Sequence, residues 1–235
     1  MTMMVGRGVE DVNIRMPRDA CDTGKDGPTF NAYLTVVVRD SEGKVVKVHR
    51  QRSHSPTANF IKLMLPVQYF INTGTSVTLT NTGNGTCGYQ PNTSTYYYDI
   101  SYPNQASNYA TYLVMIQVGS GQQSNPYSAY SLASPIANGS GSGQLLYGTI
   151  TGPSGAMASG SSVYFYISQT YNNQSGDTVN ITELGIIIQL YLAKPNNGSG
   201  SNCGNIMVWY DVLSSPISVP NGESVTIYYT FTVNP

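Results

Sequence analysis

Few residues in this chain of 235 could do chemistry: twelve acids, two histidines and three cysteines. Seven of the acids lie between Glu10 and Glu42, and the long remainder carries Asp99, Asp177, Glu183, Asp211 and Glu223. Sugar hydrolysis needs two carboxylates facing each other across a bond, and folding could bring any two of these five together. The alternative is isolated carboxylates at turns: Asp177 follows Ser-Gly and Glu223 follows Asn-Gly. Gly83-Asn84-Gly85-Thr86-Cys87-Gly88 has dinucleotide-loop spacing, but that loop works only between a strand and a helix whose first amides face the phosphates. Here it sits in an Asn/Gly-rich stretch, so it is set aside. His49 and His54 lie close together with no Gly-x-Ser-x-Gly elbow elsewhere, and no Cys-x-x-Cys spacing suggests a metal. The expectation is a non-enzyme with no catalytic residue, metal or cofactor.

Three cysteines cannot all pair within one chain. Cys87 and Cys203 both lie among Gly and Asn and are the pair to test for a disulfide, which leaves Cys21 over. Three unpaired thiols are the alternative. Six N-x-S/T sequons occur, at Asn84, Asn92, Asn138, Asn173, Asn180 and Asn197. Most fall where loops are expected, so a glycan would be accessible, although so much Asn, Ser and Thr produces several by chance. His49, Arg50, Arg52, His54 and Lys62 form a basic patch that could dock on a phosphate or an acidic neighbour. A solvated strand end is the plainer reading of it.

Only 10% of the residues are charged, against about 25% in an ordinary soluble domain. A neutral polar surface lets identical copies pack side by side with little repulsion. Ten of the eleven Lys and Arg residues lie in the first 62 positions, so a charged amino-terminal part precedes a nearly uncharged body. A net charge of −1 argues against nucleic acid as the main partner, because neutralising phosphates needs a basic surplus. Arg7, Glu10 and Arg15 interrupt the Met-rich start, so no targeting signal is read there. A membrane span is not expected either, since it needs about 18 consecutive apolar residues. Nineteen tyrosines against one tryptophan, clustered at Tyr96-Tyr97-Tyr98 and Tyr164-Phe165-Tyr166, suit partly wet interfaces or a carbohydrate platform.

The pattern along the chain predicts an all-β fold: a β-sandwich, with the jelly roll as one form of it, plus an extended N-terminal arm, a hairpin and one short helix. Residues 1–30 read as the arm, 31–70 as a docking segment holding the hairpin and helix, and 71–235 as the sandwich body. Tyr33 to Val38 and Lys44 to Val48 flank Asp40-Ser41-Glu42-Gly43, the hairpin signature. Ser55 as cap, Pro56 at the first helical position and Pro66 as terminator frame the helix. Strands are expected near 76–80, 95–101, 109–118, 144–151, 161–170, 178–193, 205–213 and 224–233, separated by Asn/Gly/Ser/Pro clusters. The long loops at 119–134, 138–143 and 196–205 would be strange in a compact enzyme but suit a surface where neighbours order them.

The stretch Val36-Val37-Val38-Arg39-Asp40-Ser41-Glu42-Gly43-Lys44-Val45-Val46, with Ser53-His54-Ser55 and Asn59-Phe60-Ile61, resembles the start of virion structural proteins from phages and thermophilic archaeal viruses. Ile181-Thr182-Glu183-Leu184-Gly185-Ile186 and the run from Pro216 to Phe231 extend the resemblance to roughly a third of the chain. It implies a capsid, decoration, turret or fibre component. Such a protein would form homo-oligomers, contact other virion proteins and sit on the virion surface after assembly in the host cytoplasm. The resemblance carries no site residues. The alternative is a glycan-binding adhesin or extracellular surface-filament subunit, whose partner would be a host-surface glycan.

Overall fold

The computed structural model describes residues 29–53, 55–68, 77–89, 97–99, 114–152, 157–193 and 201–234. The expected arm therefore lies outside the described residues except for Thr29 and Phe30, as do Cys21, Asn92, Asn197 and His54. Among the described residues, twelve strands and one α-helix follow in order: β1 (Thr29–Arg39), β2 (Val45–Ser53), α1 (Ala58–Gln68), β3 (Val77–Thr80), β4 (Thr86–Tyr89), β5 (Tyr97–Asp99), β6 (Val114–Gly119), β7 (Leu146–Thr151), β8 (Met157–Ser159), β9 (Ser162–Asn172), β10 (Val179–Ala193), β11 (Ser201–Val219) and β12 (Ser224–Asn234). The fold is all-β, as its β-branched and aromatic runs predict. No helix among the described residues is long and apolar enough to cross a membrane.

The larger sheet runs β2-β1-β12-β9-β7, with β8 also beside β9. The smaller runs β11-β10-β5, with β6 also on β10. Every pairing is antiparallel. Alternation decides which side chains meet between the sheets. From the larger come Leu34, Val36 and Val38, then Val225, Ile227, Tyr229 and Phe231; from the smaller come Ile116, Val118, Leu184, Ile186 and Ile206. All of these belong to one buried cluster, the core of a β-sandwich. The strand order does not establish the jelly-roll form.

Two sequence expectations change. The division at residue 70 cuts through a sheet, because β1 lies between β2 and β12 and pairs with β12 from Thr29↔Asn234 to Arg39↔Ser224. The hairpin expected in a docking segment at 31–70 is thus part of the larger sheet of the body. The helix also starts later than expected. Pro56 bridges Trp209 in extended form, and Thr57 is the cap: its hydroxyl accepts from the Phe60 amide at 3.4 Å and donates to the Met207 carbonyl at 2.8 Å. Pro66 does not stop the helix, which continues to Gln68.

Cys87 on β4 and Cys203 on β11 are joined in a disulfide, with Cα atoms 5.4 Å apart and a sequence separation of 116. It fastens the β3–β4 hairpin to the smaller sheet, with help from Asn81, whose amide nitrogen donates to the Cys203 carbonyl at 3.3 Å. Closing so long a loop restricts the unfolded chain, so reduction is expected to cost about 2–5 kcal/mol. Urea unfolding with and without reductant measures this. A midpoint unmoved by reductant would mean that the bond contributes nothing.

Candidate functional site

Glu183 is 0% exposed, yet its carboxylate is fully used. Oε1 accepts from the amides of Ser134 at 2.7 Å and Gly121 at 3.2 Å. Oε2 accepts from the Ala133 amide at 3.0 Å and the Tyr210 hydroxyl at 2.8 Å. Tyr210 in turn accepts from the Gln123 amide at 2.7 Å. Close approach requires glycine here: a Cβ on Gly119 would lie 2.6 Å from Glu183 Oε1, and one on Gly121 would lie 2.8 Å from the Ala133 side chain. The loop after β6 is therefore ordered from within the chain, where its length had suggested ordering by neighbours. It covers the outer face of the smaller sheet, packing Ala129 and Leu132 on Ile187, Met207 and Tyr210.

The sheet edges are closed in a related way. Ile116, on the side of β6 away from β10, donates its amide to Gln169 Oε1 at 2.9 Å and accepts from the Tyr171 hydroxyl at 2.5 Å. Val118 donates to the Tyr147 hydroxyl at 3.4 Å and accepts from the Ile136 amide at 2.9 Å. Gln169, Tyr171 and Tyr147 all belong to the larger sheet, so they tie one sheet to the edge of the other. At the opposite edge, Gln51 of β2 donates to the Val212 carbonyl at 2.9 Å and accepts from the Ser214 amide at 3.0 Å. Lys47 reaches the Pro216 carbonyl at 3.3 Å. Ser55 and Thr57 pair with Tyr210 and Val208 further along β11. Pro216 is tolerated within β11 because it lies on this edge, where a ladder amide is dispensable. Backbone that would invite a foreign strand is thus occupied at both places.

Asp211 and Asp177 are also held by hydrogen bonds. Ser53 donates to Asp211 at 2.5 Å and receives the Trp209 indole N–H, all three being buried between the sheets. Asp177 accepts from the Ser142 hydroxyl at 2.7 Å. Among the described residues no group of three or more His, Cys, Asp or Glu could hold a metal. Several tyrosines in these networks resist ionisation. Burial pushes Tyr147 up to about 12, with the Val118 amide pulling slightly the other way. Burial holds Tyr171 and Tyr229 well above the ordinary value of 10.0, with Asp211 adding to the effect on Tyr229.

No protein-family model, curated protein or solved structure matches this chain. Its function must therefore be argued from its own surface. The basic patch is split by strand alternation. Arg50 and Arg52 pair with Thr35 and Tyr33 on the outward side of the larger sheet, whereas His49 pairs with Val36 on the opposite side and bonds Gln51 at 2.9 Å. Arg52 donates to Asn31 Oδ1 at 2.8 Å, and Lys62 sits apart on α1. Among the described members of the patch, Arg50 and Arg52 share one face of the sheet, while His49 lies on the other and Lys62 on α1. Alternation also splits Tyr164-Phe165-Tyr166: Phe165 stacks on Phe231 in the core at 4.9 Å, while Tyr166 packs outside with Val37 and Tyr228.

The sequons separate cleanly. Asn84, Asn138 and Asn180 are exposed. Asn173 is not available: it is 0% exposed, and its amide nitrogen donates to the Asp177 and Val219 carbonyls at 2.7 and 2.6 Å. Its oxygen accepts from the Ser175 amide and hydroxyl, so a glycan on that nitrogen would open the turn. In a glycosylating host, peptide mass spectrometry of the folded protein is expected to find Asn173 bare. A sugar found there would overturn this placement.

One end of the sandwich looks different. Phe30 pairs with Val233, and Val233 with Val163, so three apolar side chains form a row across β1, β12 and β9. They are 52%, 43% and 45% exposed respectively. The next core-facing residues inward, Ala32, Phe231 and Phe165, belong to the core or pack against it. The row therefore continues the core side of the larger sheet to its end, where these side chains stay exposed. Phe231 links it to Phe30 at 6.0 Å and to Trp209 at 5.2 Å, and Trp209 meets Phe60 of α1 at 5.5 Å.

Proposed function

We propose that this chain is a structural subunit of a virion surface, a capsid, decoration, turret or fibre protein that assembles with copies of itself and with other virion proteins. The observation that carries the reading is the sandwich itself. Its β6 and β11 edges are tied off within the chain and its long loop is pinned by Glu183, which makes a rigid block. Such a block meets neighbours through faces and ends, and its 10% charge keeps repulsion between packed copies low. Three of the five body carboxylates, Glu183, Asp211 and Asp177, are engaged in hydrogen bonds within the chain, which agrees with a structural role. The resemblance of its hairpin and C-terminal run to virion proteins points the same way.

The disulfide suits a particle exposed to an oxidising exterior. It suits the second reading, an extracellular surface-filament or adhesin subunit, equally well. Light scattering of the purified full chain over a concentration series, with electron microscopy of the same sample, tests the assembly common to both. A closed oligomer or shell fragment is expected. A monomer at every concentration would sink the proposal, and a glycan bound by that monomer would favour an adhesin.

A further inference from the structure

We infer that the exposed row of Phe30, Val233 and Val163 is the seat for residues 1–16 of a neighbouring copy; the inference rests on the assembly reading above. The row lies on the core side of its sheet, so its occupant must supply apolar side chains. The neighbouring residues on these strands are Thr29, Asn31, Ser162, Tyr164, Thr232 and Asn234, which offer no charge to recognise an ionic partner.

The chain upstream of Thr29 divides into two parts that fit this task. Residues 1–16 include Met1, Met3, Met4, Val5, Val9, Val12, Ile14 and Met16, interspersed with Arg7, Glu10, Asp11 and Arg15, and unbranched Met fills irregular apolar gaps well. Residues 17–28 are polar apart from Ala20 and Cys21, with Pro17, Gly24, Gly27 and Pro28 among them. A spacer of that length can span up to about 40 Å when extended. Turning straight back onto Phe30 of the same copy would need only about two to five residues. A spacer longer than a turn requires is suited to reaching another subunit, and the row lies beside the point where it leaves the sandwich.

The test uses the full chain in three forms: wild type, Val163→Glu and Val233→Glu. Light scattering gives the mass, and retention of the Cys87–Cys203 disulfide with unchanged Trp209 fluorescence checks folding. Both variants are expected to fall to the mass of one copy, 25.3 kDa. An excess of synthetic peptide 1–16 should likewise dissociate the wild type, an arm of the test that needs no variant. Assembled variants together with an inert peptide would overturn this inference alone and leave the assembly reading standing. A wild type that never assembles would overturn both.

Discussion

Replacing Glu183 by Ala is expected to lower the thermal midpoint by roughly 10–15 °C, corresponding to about 3–5 kcal/mol for stripping the partner from buried hydrogen-bonding groups. The carboxylate takes four donors, three of them backbone amides of one loop. Removing it leaves those amides and the Tyr210 hydroxyl without their buried acceptor, each costing about 1–3 kcal/mol if unmet. Glu183→Gln should do little better, because an NH2 in place of either oxygen confronts donors already aimed there. Tyr210→Phe removes one donor and leaves the acceptor three others, so about 1–2 kcal/mol is expected. Differential scanning calorimetry ranks the three. Hydrogen exchange should place the loosening at Gly121, Ala133 and Ser134. If Glu183→Ala melted within a few degrees of the wild type, the loop would be held by its apolar contacts instead.

Alkaline pH should unfold the protein over a narrow window. A tyrosine whose folded value is raised keeps its proton in the folded state after the unfolded chain has begun to lose it. Its stabilisation is complete below the ordinary value of 10.0 and is lost as pH rises through the folded value. For Tyr147, pushed up to about 12, the window runs from about 10 to about 12 and the loss is about 2–3 kcal/mol. Tyr171 and Tyr229, also raised by burial, add to the fall as pH rises past 10. The urea midpoint should show no loss from these groups up to pH 10 and then drop steeply, with a step in tyrosinate absorbance at the unfolding point. Smooth titration of all nineteen tyrosines near pH 10 without unfolding would contradict the burial of these hydroxyls.

The strands were readable where alternation or a β-branched run extended over several residues. β12 is the clearest: odd-numbered Val225, Ile227, Tyr229 and Phe231 face inward as their pattern predicts. Segments of three or four residues, β4 and β8, gave no such signal because Thr-Cys-Gly-Tyr and Met-Ala-Ser read as loop. The helix start was misplaced because Thr57 is chosen as cap by Met207, a residue far along the chain. Glu183 stood in plain view as one of five body acids, but its neighbours come from a loop some fifty residues earlier. The one local hint was Gly119-Ser120-Gly121, two small residues bracketing a place where something had to come close. Asn173 shows the reverse limit, since a sequon encodes a recognition pattern and not the exposure that glycosylation needs.

The pairing of β1 with β12 also has a consequence for biosynthesis. The first described strand cannot complete its sheet until the ribosome has released β12, since its only other partner, β2, leaves it half-covered. Contacts so distant in sequence close slowly, and an isolated two-stranded hairpin is marginal in water. Until then β1 and β2 must wait in an unfinished state, with Leu34, Val36 and Val38 open to chaperones or to aggregation. An interrupted translation product would lack the strand that makes the sheet cohere. The fold thereby acts as its own inspection step, admitting to any larger structure only copies translated through β12.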